Sequence, residues 1–194
     1  MARRARSRLD SCSWPSPEHR PLPPTTCRLP GWPCCTIRAT GLQAELAATR
    51  LALLGEPLRL YRGGVIEHPV IAYEALGTLN AARDNTLLLF TGLSPSAHAA
   101  SSPADPKPGW WESMIGAGKP IDTDRFFVLC INSIGSPYGS SSPTSIDPRT
   151  GRPFGITFPE VSLADVARGG YEVLRQLGIE TVACDAGTSR GGMT

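Results

Sequence analysis
The sequence predicts an α/β fold with a mainly parallel sheet. Two continuous apolar runs, residues 86–90 (TLLLF) and 126–131 (FFVLCI), have the pattern of strands covered on both faces. An amphipathic segment opening at Ser162 separates the second run from a further strand candidate at residues 181–184. Strands and helical segments therefore alternate along the chain, an order that favours parallel pairing through crossover helices.

Taken in order, residues 1–50 carry eight Arg, seven Pro and four of the six Cys, with only Asp10, Glu18 and Glu45 as acids. That is not core-forming composition, because each proline lacks an N–H and fixes φ. Arg3, Arg4, Arg6 and Arg8 resemble a transit peptide, but no amphipathic stripe follows them and no apolar h-region is present. Residues 1–55 are expected to be an unmatched, disordered leader, with residues 42–54 its one helix-like piece. Residues 58–61 and 70–75 read as strands of a hairpin turning at Gly63-Gly64. Between the two apolar runs, residues 110–115 can form a short helix. The long helix starts with Ser162 and Asp165 as a capping box. Leu163, Val166, Ala167, Val173, Leu174 and Leu177 are its stripe and Gly178 its stop. Residues 132–159 lack periodicity and are expected to lie on the surface near the carboxyl end of the preceding strand, where open α/β sheets place ligands.

A length of 194 residues with 41% hydrophobic and 19% charged residues suits one core. The net charge of +2, from 19 basic and 17 acidic residues, gives no field for a polyanion, so neither nucleic acid nor an anionic membrane is expected as partner. No run approaches the roughly 20 apolar residues of a membrane span, so a soluble protein is expected. Cys12, Cys27, Cys34, Cys35 and His19 include no C-x-x-C pair, so no metal site is expected. Cys130 and Cys184 read as small buried hydrophobes, and a reducing cytoplasm fits all six thiols.

The chemistry-bearing motif is Gly187-Thr188-Ser189-Arg190-Gly191, a G-x-S-x-G directly after a strand. Such a serine sits at a strained apex, and small residues at 187 and 191 let the two backbones approach. Ser189 is the expected nucleophile. The N–H of Arg190 would supply one half of an oxyanion hole, and that of Leu93, in Thr91-Gly92-Leu93-Ser94, the other half. The bland alternative is an ordinary serine turn between glycines. Folds with this elbow run nucleophile, acid, histidine along the chain, yet His19, His68 and His98 all precede Ser189. His98 is therefore read as a loop or pocket-lining residue rather than the general base.

Further pieces carry a family resemblance over about residues 62–194. They are Ala72-Tyr73-Glu74, Gly77-Thr78-Leu79-Asn80, Thr91-Gly92-Leu93-Ser94-Pro95, Ala97-His98-Ala99-Ala100, Gly109-Trp110-Trp111-Glu112 and Ile121-Asp122-Thr123-Asp124-Arg125-Phe126. With Asn132, Gly135, Gly139-Ser140, Pro143 and Gly191-Gly192-Met193 they resemble the homoserine O-acyltransferases of the α/β-hydrolase superfamily, most closely the serine and homoserine O-succinyltransferase branch. The resemblance implies an α/β-hydrolase fold whose first half is residues 56–194, truncated just after the elbow, with the catalytic acid and base missing. It implies a ping-pong transfer of succinyl or acetyl from acyl-coenzyme A to the hydroxyl of L-serine or L-homoserine, through an acyl-enzyme on Ser189, in cysteine or methionine biosynthesis. Acyl-CoA would be a co-substrate and no cofactor would stay bound; full-length members would be cytoplasmic homodimers. Rival expectations are a homoserine O-acetyltransferase, an esterase of the same fold and a non-catalytic remnant.

Three stretches depart from the family. Thr188 and Arg190 flank the serine where Asn or Gly and then Met are usual, Ser141-Ser142-Pro143 replaces Thr-Gly-Pro, and Asp185 occupies an apolar strand position. An unpaired Asp185 would be costly to bury. Arg190 could instead serve the free carboxylate of a succinyl group, while Trp110 and Trp111 read first as core packing.

Overall fold
The computed structural model describes residues 48–92 and 94–194. Its elements in chain order are β1 (Arg50–Leu53), β2 (Leu58–Arg59), β3 (Val65–Ile66), β4 (Val70–Leu76) and β5 (Thr86–Phe90). Then come β6 (Ile115–Gly116), β7 (Ile121–Asp122), β8 (Phe127–Ile131), β9 (Ile146–Asp147), β10 (Arg152–Pro153), α1 (Leu163–Gln176) and β11 (Val182–Gly187). Single 3-10 turns cover Gly155–Thr157 and Ser189–Met193.

The central sheet has five strands in the order β1-β4-β8-β5-β11. β4 runs antiparallel to both of its neighbours, while β8, β5 and β11 pair parallel, so four of the five strands share one direction. The side-chain period of two divides the apolar residues between two faces. Ile71, Leu88, Phe90, Leu129 and Ile131 join one buried cluster, which α1 covers with Val166, Val173 and Leu174. Leu87, Leu89, Val128 and Cys130 join the other, covered by Ala97, Ala99, Ala100, Trp110 and Trp111. Every residue of β5 is buried, as a continuous apolar run in a two-sided sheet requires.

α1 follows its predicted signals. The Ser162 hydroxyl accepts the Asp165 N–H, the Asp165 carboxylate accepts the Ser162 N–H, and Gly178 closes the helix at φ +66°. Beside those side chains, two glycines let the helix approach the sheet. A Cβ at Gly170 would stand 2.7 Å from the Phe90 ring, and one at Gly169 3.0 Å from the Ile71 side chain.

Several expectations are corrected. The turn at Gly63-Gly64 joins β2 to β3, not to residues 70–75; those enter the central sheet as β4, whose first four residues pair with β1 and whose last four pair with β8, Tyr73 with both. The described end of the helix-like piece at 42–54 is strand β1, paired with β4, so the sheet begins before residue 56. Residues 110–114 form hydrogen-bonded turns rather than a helix. The segment 132–159 is not all surface: Asn132, Ser133, Ser140, Ser141 and Ser142 are buried. Ser141 Oγ accepts the Val70 N–H and Ser140 Oγ the Ala72 N–H, so hydroxyls satisfy the sheet there in place of a further strand. Cys184 and Asp185 are exposed on β11, so neither is a buried residue and Asp185 carries no burial cost. Cys12, Cys27, Cys34, Cys35 and His19 lie outside the described residues. No described helix is long and apolar enough to cross a membrane.

Candidate active site
The elbow is built by backbone contact. β11 runs parallel to β5 with Gly187 opposite Phe90, and the chain reverses at Thr188 into the turn Ser189–Met193. Ser189 has φ +53°, left-handed backbone that a non-glycine residue adopts only at a cost of about 1–3 kcal/mol. Two glycines enforce it. A Cβ at Gly187 would lie 2.1 Å from the Gly191 carbonyl carbon, and a Cβ at Gly191 would lie 2.3 Å from the Phe90 carbonyl oxygen. No side chain fits between these backbones, and the turn is closed by Gly191 N–H donating to the Thr188 carbonyl at 2.9 Å. Ser189 is exposed, at the carboxyl end of a parallel strand.

The loop after β5 runs alongside. Gly92 is buried, and a Cβ there would meet the Thr188 carbonyl oxygen at 3.4 Å. Leu93, expected to give the second oxyanion amide, lies outside the described residues. Arg190, half-buried, lines a cleft of about 570 Å³ with Tyr61, Arg62, Glu160, Ser162 and Met193. Arg62 and Glu160 form an exposed ion pair at its rim.

Beyond the loop, the covering segment is tied down at several points. Trp110 and Trp111 stack with ring centroids 5.4 Å apart, and Trp110 Nε1–H donates to the Ser96 carbonyl at 2.9 Å. The Trp111 N–H donates to the Ala99 carbonyl at 2.8 Å, consistent with their reading as core. Glu112 receives the Ser101 N–H at 2.7 Å, the Gly109 N–H at 3.1 Å, the Ser101 hydroxyl at 2.9 Å and Lys119 Nζ at 3.2 Å. These donors, the Ser101 amide first, lower its pKa to about 2.

His98 does not meet Ser189. Its Nδ1 is 3.0 Å from Glu74 Oε2 and its Nε2 2.9 Å from the Lys107 carbonyl oxygen. Glu74 is 1% exposed in the middle of β4, and its other oxygen accepts the Thr49 hydroxyl at 2.7 Å. Burial opposes a charge on the imidazole, but the Glu74 carboxylate and then the Lys107 carbonyl outweigh it, and the His98 pKa is raised. This pair escaped sequence reasoning; the available signal was a lone carboxylate inside the apolar run of residues 70–76.

Comparison with known proteins finds relatives over three quarters of the chain. No family-level sequence profile matches the chain. A serine O-succinyltransferase of Xanthomonas campestris pv. campestris is 55% identical over 146 residues, 75% of this chain and 38% of that protein. An L-serine/homoserine O-acetyltransferase of Streptomyces lavendulae is 53% identical over 147 residues, 76% of this chain and 39% of that protein. Among solved structures, esterase E22 superposes with TM-score 0.69 at 37% identity, over 75% of this chain and 41% of its own. Homoserine O-acetyltransferase from Bacillus anthracis does so with TM-score 0.69 at 33% identity, over 75% and 40%. The chain spans about two fifths of the length of the curated relatives it matches. Fold and elbow together define an α/β-hydrolase-type protein. Within that class, the matched stretch is similar to serine O-succinyltransferases and to an L-serine/homoserine O-acetyltransferase.

Proposed function
We propose that this chain carries the nucleophile half of an O-acyltransferase that moves a succinyl or acetyl group from acyl-coenzyme A to the hydroxyl of L-serine or L-homoserine. The observation that carries the reading is the left-handed backbone of exposed Ser189 between two glycines that no other residue can replace. Ser189 Oγ attacks the thioester carbonyl, its proton passes to a base that is not among the described residues, and the carbonyl oxygen becomes an oxyanion. The N–H groups of Arg190 and Leu93 receive that oxyanion. Collapse breaks the C–S bond, the coenzyme A thiolate leaves with the proton, and an ester remains on Ser189. The amino-acid hydroxyl then attacks the ester while its proton passes to the same base, and the bond to Ser189 Oγ breaks as Oγ takes that proton back, releasing the O-acyl amino acid.

Soluble, cytoplasmic, homodimeric function with small-molecule substrates belongs to this reading. So does succinyl preference: Arg190 is the cation next to Ser189 and suits a free carboxylate. The test is incubation with succinyl-CoA or acetyl-CoA followed by peptide mass spectrometry. Acyl ester on Ser189, absent in Ser189→Ala, is expected. A chain that stays unmodified with both donors would be the non-catalytic remnant. A changed donor ratio in Arg190→Met supports the carboxylate role, and an unchanged ratio removes it.

A second reading has its own support, the equal superposition on esterase E22. An esterase releases coenzyme A at the same rate with or without L-serine and L-homoserine. The transferase requires one of them for turnover after the first acylation.

A further inference from the structure
The apolar strip Ala97, Ala99 and Ala100 is buried to 2% exposure or less, yet His98, in its middle, is the one side chain that reaches polar partners on both sides. Both partners are acceptors. The Glu74 carboxylate faces Nδ1 and the Lys107 carbonyl faces Nε2, and a neutral imidazole has only one N–H to give. Were the extra proton on Glu74 instead, its carboxyl group would donate to Nδ1. The ordinary order of carboxylate and imidazole basicities and the Thr49 hydroxyl on the other Glu74 oxygen place the proton on the ring. The remaining ionisable groups around the pair fit that charge. Asp105 is buried, accepts the Lys107 N–H at 3.1 Å and adds a second negative charge near the ring. The Cys130 thiol stands opposite Glu74 across the β4–β8 ladder, where burial pushes its pKa up and keeps it neutral.

Geometry connects this pair to the loop beside the elbow. His98 follows Thr91 and Gly92 by only six residues or so in a segment whose other anchors, Ser96 and Ala99, bind the Trp110-Trp111 turn. Among the described residues, only the His98–Glu74 contact fastens that segment to the sheet through side chains that carry charge. We propose that His98 is a positioning residue: held as an imidazolium between Glu74 and the Lys107 carbonyl, it pins residues 94–100 to β4 and so holds the chain that follows Gly92 beside the elbow. The part this segment plays in catalysis rests on the acyl-transfer reading above; the clasp itself does not.

The test uses the isotope-labelled chain without any acyl donor, so the clasp and the transferase reading can fail separately. Long-range nitrogen–proton correlation is expected to find protons on both ring nitrogens of His98 at neutral pH. Because its folded pKa is raised from 6.5, the clasp is complete below that value and is lost as pH rises through the raised one. The Gly92 and Ser94 amides should shift along the same titration curve. In His98→Gln, amide exchange over residues 94–100 should quicken by about tenfold or more, and the curve at Gly92 and Ser94 should vanish. Adding Glu74→Gln should recover part of that protection, because it removes the buried charge left alone. A ring with one bare nitrogen at neutral pH, or Gly92 and Ser94 amides indifferent to the His98 titration, overturns the proposal. If His98→Gln does not fold, the titration of the unaltered chain decides by itself.

Discussion
β5 and β11 lie side by side, run parallel and each lead into one half of the candidate site, yet they are held by different physics. All five residues of β5 are buried, with Leu89 fully enclosed. In β11 the residues Ala183, Cys184 and Asp185 are exposed, and no residue of the strand reaches full burial. The placement of β5 is thus a matter of hydrophobic burial on two faces. That of the elbow after β11 rests on a ladder to β5 and on the interlock of Gly187 and Gly191 with carbonyl groups. The turn is set by backbone contact where its strand is less buried, and Val182 and Ala186 alone of β11 pack against the two apolar clusters.

The contrast can be broken from either side. Gly191→Ala should have the largest effect, since its methyl would press on backbone atoms of Phe90 and Thr91 that cannot turn away. A loss of about 3 kcal/mol or more in urea unfolding is expected, together with loss of Ser189 acylation. Leu89→Ala, on the buried strand, should cost about 2–5 kcal/mol through lost transfer and cavity terms. If it also abolished elbow geometry before global unfolding, burial rather than the interlock would be holding the turn. Glu112→Gln should act through pH. The Glu112 carboxylate, lowered to about 2 from 4.5, gives stability that is present above 4.5 and lost as pH falls through about 2. Thermal melts of the unaltered chain should therefore fall more steeply across that acid range than those of the variant. Smallest of all, Asp185→Asn on the exposed strand should change stability by less than about 0.5 kcal/mol in the same urea assay.

The parts legible in the sequence are those where one local pattern decides. β5 and β8 announce themselves as apolar runs, α1 by its Ser162–Asp165 box and Gly178, and the elbow by two glycines around a serine after a strand. The rest depends on partners far along the chain. Residues 50–53 read as helix because Ala and Leu favour it, and they become strand because β4 offers a free edge. Residues 70–75 read as the hairpin's second strand because the true one, β3, is only two residues long and carries no pattern of its own. The Glu74–His98 clasp joins residues 24 apart in sequence, and neither letter names the other. The burial of Ser140 and Ser141 was hidden for a related reason: a serine-rich stretch reads as loop until it is seen replacing a strand on β4.

Backbone interlock at Gly187 and Gly191 forces residue 189 into left-handed geometry. The direct test is the difference in unfolding free energy between Ser189→Gly and Ser189→Ala. Glycine enters that region without a Cβ clash and alanine does not, so the glycine variant should be the more stable by about 1 kcal/mol, despite glycine's larger unfolded-state entropy. Equal stabilities, or a more stable alanine variant, would contradict the account.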